Sequence, residues 1–265
     1  MTTPIRIATA LTVAGSDSGG GAGIQADLKT FAALGVHGAS VITCITAQNP
    51  DQIIGMEAVS TRMVRRQLEA VFSGMRPGAV KSGMLFSERI MRVLVDFFVA
   101  KTRNVPLIVD PVMISTSGSR LLQKGAMKCF QNELLPRADL VTPNLPEAEV
   151  LLGEKIRSLD DLRAAARKIH GRYGCAALVK GGHLPGAREA IDFYFDGAVE
   201  RKLSGRFLKN LRTHGTGCTY SAAIAAYVSR GLALPDAVSA AKKYMVRSIA
   251  GGRDVGGRRW LRHFL

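Results

Sequence analysis

Short apolar runs alternate with helix-spaced stretches along almost the whole chain, and that alternation limits the available folds more than any other feature. Residues 7–14 form an apolar run ending at Gly15, the pattern of a buried strand. Residues 23–34 follow, with Ile24, Leu28, Phe31 and Leu34 at helical spacing and Gly35 as a stop. β-rich runs at 40–46, 79–85, 106–109, 140–142 and 176–179 recur between helical patterns at 61–72, 87–101, 121–135, 146–152 and 159–173. Residues 191–195 and 199–203, split by Asp196-Gly197, predict a hairpin, and helices over 219–230 and 235–249 close the pattern. Strands separated by helices of ten or more residues imply an α/β fold with a mostly parallel sheet covered on both faces. No linker or repeat divides the 265 residues, so the expectation is a single domain over 1–250 and a basic tail over 251–265.

In sheets of this kind ligands bind beyond the carboxyl ends of the strands. The first such turn, Gly15-Ser16-Asp17-Ser18-Gly19-Gly20-Gly21-Ala22-Gly23, is rich in glycine, which lets backbone N–H groups approach a ligand closely. Gly21 to Ala26 formally fits G-x-G-x-x-A, but the acidic residue a dinucleotide site needs about 20 positions on is replaced by Thr46-Ala47-Gln48-Asn49. A nicotinamide-dependent oxidoreductase is therefore the weaker reading. The second turn, Thr213-His214-Gly215-Thr216-Gly217-Cys218, opens a helix of small residues. Its N–H groups would sit at the positive end of a helix dipole, suited to an oxyanion or phosphate. Cys218 on that first turn is expected to have a depressed pKa and to act on a substrate hydroxyl; the alternative is a small apolar side chain packed under the helix. No G-x-x-x-x-G-K-[ST] occurs, which excludes a P-loop enzyme. Asp110, Asn144, Glu147 and Lys180 fall on further strand ends, where carboxylates and a lysine can hold Mg²⁺ and neutralise phosphate oxygens. Asn144 alone would also serve as a helix cap.

Charge and cysteine usage narrow the class. Lys and Arg number 36 against 21 Asp and Glu, a net charge of +15, which attracts anions. The basic residues are dispersed and no nucleic-acid reader motif is present, so a solvated basic surface is favoured over a nucleic-acid-binding module. Cys44, Cys129, Cys175 and Cys218 show no paired spacing for disulfides or zinc. No apolar run approaches the ~20 residues of a membrane helix. The apolar run at 7–15 lacks a preceding basic cluster, so a cytoplasmic protein is expected.

With these residues in view, the chain resembles the hydroxymethylpyrimidine/phosphomethylpyrimidine kinases of thiamine biosynthesis, in the ribokinase-like superfamily. The resemblance runs from about residue 10 to 249 and rests on residues 14–27 (AGSDSGGGAGIQAD), 46–49 (TAQN), 109–113 (VDPVM), 142–149 (TPNLPEAE), 179–183 (VKGGH) and 213–219 (THGTGCT). It implies a three-layer α/β/α fold with a small β-flap, and Mg²⁺·ATP-dependent phosphorylation of a pyrimidine alcohol and then of its monophosphate. It further implies that Cys218 is catalytic, with Gly215 and Gly217 forming an anion hole, and that Gln48, with Gly15, Asp17 and Met84, binds the pyrimidine. Asn144, Glu147, Lys180, Thr213 and Lys242 would lie near the nucleotide, and Asp110 and Glu147 would organise the metal. Members are commonly homodimers. Arg212 and Ser119 depart from the family pattern, where asparagine and aspartate are frequent, and Arg212 brings charge towards the expected phosphate site. Pyridoxal kinases share the glycine–cysteine turn and are the nearest alternative.

Overall fold

Successive residues of the central strands point into two separate apolar cores, which is the residue-level origin of three layers. Leu107 and Val109 face one core while Ile108 faces the other, and Val141 and Leu140 divide in the same way. The computed structural model describes residues 7–101, 104–113, 121–123, 125–182, 184, 189–205 and 214–264. Its strands are β1 (Thr9–Asp17), β2 (His37–Gln48), β3 (Ile53–Ala58), β4 (Ala79–Ser82), β5 (Leu107–Val109), β6 (Leu140–Val141), β7 (Ala176–Lys180), β8 (Asp192–Phe195) and β9 (Glu200–Leu203), with a separate β10 (Arg253–Val255) and β11 (Arg258–Trp260). The helices are α1 (Gly23–Ala33), α2 (Thr61–Gly74), α3 (Glu88–Lys101), α4 (Ala126–Cys129), α5 (Leu145–Leu152), α6 (Leu159–Tyr173), α7 (Thr216–Ser229) and α8 (Leu234–Ala250). Helices α2, α3, α5 and α6 cover one face of the sheet, and α1, α7 and α8 the other.

The main sheet runs β3-β2-β1-β4-β5-β6-β7-β8-β9. Strands β2, β1, β4, β5, β6 and β7 are parallel, while β3, β8 and β9 are antiparallel additions. The chain moves outward from β1 to β2 and β3, then returns to β4 on the other side of β1. That reversal makes β1/β4 the topological switch point, where a crevice opens beyond the strand ends.

Several elements differ from the sequence expectations. Strand β1 continues through Gly15 and Ser16 to Asp17, so only residues 18–22 turn. The unexpected β3 has no alternating burial, because nearly all its residues are exposed at the sheet edge. The expected helix over 121–135 is only α4 followed by a π-helical turn, Phe130–Leu134, and a 3-10 turn, Leu135–Arg137. The predicted hairpin is β8–β9. The tail forms the hairpin β10–β11 and then packs inward, with Leu261 and His263 buried.

Candidate active site

Two glycine turns distant in sequence are in contact. Gly215 adopts φ 85° and caps α7, and a Cβ there would lie 1.7 Å from the carbonyl oxygen of Gly21. Only glycine permits both that backbone and that approach. Neither α1 nor α7 has a side chain capping its N-terminus, and the positive dipole ends of both helices lie where the two glycine turns touch. The Gly23 N–H is near enough to the Cys218 sulfur to favour its thiolate form, which sets the thiol, on the first turn of α7, beside the start of α1.

The surroundings of Cys218 are charged. Asp27 on α1 and Lys81 on β4 form a fully buried pair at 2.8 Å, and the Thr12 hydroxyl donates to Asp27 at 2.6 Å. Burial opposes the charge on Lys81, but Asp27, Cys218 and Asp110 together outweigh it and hold the ammonium protonated. Burial pushes the Cys218 thiol up to about 11; Lys81 and the Gly23 N–H pull it down, while Asp27 and Asp110 push it further up. This corrects the expectation of a depressed pKa. Desolvation and two carboxylates together exceed the pull of Lys81 and the Gly23 N–H towards the thiolate. Cys218 is nevertheless partly exposed and is not an apolar packing residue.

Beside it, Lys180 Nζ lies 3.2 Å from Asp110 Oδ1, the Thr142 hydroxyl donates to the same oxygen at 3.3 Å, and the Ser221 hydroxyl, 3.3 Å from Asp110 Oδ2, is also 3.0 Å from the Gly217 carbonyl. A Cβ on Gly217 would fall 3.4 Å from Lys180 Nζ and 3.6 Å from Asp110 Oδ2, so the α7 N-terminus, a cation and a carboxylate meet at one point. Glu147 accepts from the Asn144 N–H at 3.0 Å and the Met113 N–H at 3.1 Å, while Asn144 accepts from the Glu147 N–H at 2.9 Å. Asn144 is thus the α5 cap. Burial raises the Glu147 pKa, with Lys180 opposing and Asp110 adding to the rise. No group of three carboxylate, histidine or thiol ligands forms among the described residues. Asp110 and Glu147 are hard oxygen donors in an incomplete cage, which fits Mg²⁺ because that ion keeps waters and takes phosphate oxygens.

At the other end of the crevice, Asp17 is buried and accepts from the N–H groups of Gly19, Gly21 and Ala22 at 2.8, 3.1 and 2.8 Å. His214 Nε2 lies 2.9 Å from Asp17 Oδ2 and 3.3 Å from Gln48 Nε2. Burial alone would raise the Asp17 pKa, but the His214 contact and the N–H groups lower it below the ordinary value. One imidazole nitrogen cannot donate to Asp17 and accept from Gln48 at once. The Thr46 hydroxyl oxygen lies 2.8 Å from the Ser16 carbonyl and 3.2 Å from Gln48 Oε1, and its single proton can serve only one of them. The Gln48 amide is therefore poised for a further partner.

The structure thus brings together Cys218, Gly215, Gly217, Asp110, Glu147, Asn144 and Lys180, with Gln48 and Asp17 on the adjoining wall. Gly15 and Met84 form the floor: a Cβ on Gly15 would meet Cys44 Sγ at 2.7 Å, and Met84 packs on Cys44 and Leu121. Asp17 shapes the turn, with Oδ2 engaged by Gly21, Ala22 and His214 and Oδ1 by Gly19. Lys242 is tied to Asp192 at 2.7 Å and to the Ala190 carbonyl at 2.8 Å; Asp192 in turn accepts from the Gly181 N–H, so Lys242 reaches Lys180 only through that chain. Thr213, Arg212 and Ser119 lie outside the described residues. Sequence reasoning missed the Asp27–Lys81 pair. A lysine inside the apolar β4 run was its signal, since a buried ammonium requires a partner.

The chain matches the phosphomethylpyrimidine kinase family over residues 17–260. It is 47% identical to the hydroxymethylpyrimidine/phosphomethylpyrimidine kinase of Rhizobium meliloti, over 97% of each chain. It is 43% identical to a thiamine biosynthesis bifunctional protein of Geobacter sulfurreducens, matching 96% of this chain but only about half (51%) of that longer protein. Among solved structures it is similar to an ADP complex of Bacillus subtilis pyridoxal kinase (TM-score 0.89, 32% identity, 97% of this chain and 98% of that one). It is also similar to a phosphomethylpyrimidine kinase from Clostridium difficile (TM-score 0.81, 40% identity, 92% and 100%).

Proposed function

The chain belongs to the phosphomethylpyrimidine kinase family, and from that premise we propose how its site performs the reaction. The γ-phosphoryl group of ATP passes to the hydroxymethyl group of an aminopyrimidine, and a second ATP converts the monophosphate to the diphosphate for thiamine biosynthesis. The observation that carries this reading is the contact of Gly215 with Gly21, which brings the turn bearing Cys218 against the turn whose His214 partner also reaches the Gln48 amide.

Gln48 fixes the ring through donor–acceptor pairing with the aminopyrimidine edge. The Gly215 and Gly217 N–H groups at the start of α7 donate to the oxygens of the transferring group, and Lys180 neutralises their charge. Cys218 Sγ takes the alcohol proton in the first step. A phosphate acceptor in the second step is already ionised and needs no such base. Asp110 and Glu147 would hold Mg²⁺, which supplies neutralisation of phosphate charge.

Exposed Ile45, Ile54 and Met56 on the β2–β3 ribbon support a homodimer. No described helix is long and apolar enough to cross a membrane, and the four free thiols support a reducing, cytoplasmic setting. The higher structural similarity to pyridoxal kinases makes pyridoxal the rival substrate. Purified protein offered ATP with hydroxymethylpyrimidine or pyridoxal in parallel separates the two. The pyrimidine is expected to have the higher kcat/KM, and the reverse order would overturn the assignment.

A further inference from the structure

The tail packs on the first glycine turn at the residue where the second turn also meets it. A Cβ on Gly21 would lie 2.5 Å from Cζ3 of Trp260 and 2.6 Å from Cδ2 of His214, so the indole and the imidazole press on the same face of that glycine. Gly21 does not need a left-handed backbone; what excludes a side chain there is the two rings. The same His214 reaches Asp17 and Gln48 with its Nε2. The indole N–H donates to the Val255 carbonyl at 3.1 Å, closing the hairpin on itself.

Further contacts fix the tail on either side of Trp260. Arg258 pairs with Asp51 in the β2–β3 turn, three residues beyond Gln48. Asn49 organises that turn, accepting from the Asp51 and Gln52 N–H groups at 2.9 and 3.0 Å. Beyond Trp260, Leu261 enters the core. The His263 ring lies 3.1 Å from the Thr219 hydroxyl, and the Tyr244 hydroxyl donates to the His263 carbonyl at 2.7 Å. Thr219 is the neighbour of Cys218. Burial, with a smaller contribution from Lys29, lowers the His263 pKa to about 4, so this anchor is neutral under physiological conditions. A two-stranded hairpin is marginal alone; this one is held by an ion pair at its tip and buried residues at its base.

We propose that β10–β11 is a strap across the two glycine turns, and that Trp260 is a positioning residue for pyrimidine recognition, acting on Gln48 through His214 and Gly21. Trp260 sets where the His214 ring sits, and His214 sets which way the Gln48 amide turns. This rests on the assignment of Gln48 as the ring-binding residue. The strap should influence ring binding more than phosphoryl transfer.

The test uses the full chain and its Trp260→Ala and Trp260→Phe variants. Trp260→Ala is expected to raise KM for hydroxymethylpyrimidine about tenfold with KM for ATP little changed, and Trp260→Phe to restore most of the loss. Equal changes in both KM values, or no change in either, would overturn the proposal. Gly21→Ala is expected to cost less in the Trp260→Ala background than in the unmodified chain, because one of its two clashes is then gone; simple additivity would count against the strap. Should Trp260→Ala fail to fold, Arg258→Ala releases the exposed tip alone, and an unaltered KM for the pyrimidine would overturn the proposal. Trp260 is the single tryptophan, so ligand-free emission reads the strap directly. A red shift in Arg258→Ala is expected, and unchanged emission contradicts it. That readout is independent of turnover. Failure of the unmodified chain to phosphorylate the pyrimidine would remove the functional assignment and leave the strap to be judged by emission.

Discussion

Two environments compete for the Cys218 proton. The Lys81 ammonium and the Gly23 N–H favour a thiolate, whereas burial, Asp27 and Asp110 favour the thiol and prevail. A base with a pKa near 11 is ionised in only a small fraction of molecules at neutral pH, and that fraction grows with pH. Alcohol phosphorylation at saturating substrate is therefore expected to climb about tenfold per pH unit from roughly pH 6 to 9. Phosphorylation of the monophosphate should show no such climb, and a neutral-pH plateau in the alcohol step would contradict the assignment. The motifs around Cys218, Asp110 and Lys180 were legible because each falls where a strand ends and a turn begins. The direction of the Cys218 shift was not, since the opposing carboxylates come from α1 and the β5 end, far away in sequence.

At the scale of elements, helix starts were readable where side chains cap them. Asn144 and Glu147 form a capping box on α5, and Ser158 and Asp161 form one on α6. Strand β3 was not readable, because an exposed edge strand has no buried face to impose a two-residue period. The β10–β11 hairpin was hidden for a similar reason: its strands are three residues each and mostly exposed, so its arginines gave no sign of the Trp260 contact. The Asp27–Lys81 pair fastens α1 to β4 beneath the site. Removing one member leaves the other charge buried without compensation, so Lys81→Met is expected to destabilise the protein by about 3–5 kcal/mol in a urea titration. A loss smaller than about 1 kcal/mol would mean that Asp27 finds another partner or takes up a proton.

The whole molecule combines a sheet whose order reverses at β1/β4 with helix layers that bring α1 and α7 to the same crevice. Alternating runs conveyed the layers and the parallel sheet, but not the strand order or the meeting of the two glycine turns, which are products of long-range packing. The β2–β3 ribbon remains at the sheet edge with apolar side chains exposed. Ile54→Asp is expected to convert a dimer to a monomer, read by light scattering after size exclusion, without changing the thermal midpoint of the monomeric fold. An unmodified protein that is already monomeric would remove the homodimer reading.

The account depends most on the turns placing the Cys218 sulfur beside an alcohol acceptor. The direct measurement is a product analysis of Cys218→Ala against the unmodified protein, with the pyrimidine alcohol and its monophosphate supplied separately. The alcohol step is expected to fall by about 10²–10⁴-fold while the monophosphate step persists near its original rate. Equal losses in the two steps would contradict the role of Cys218 as the base.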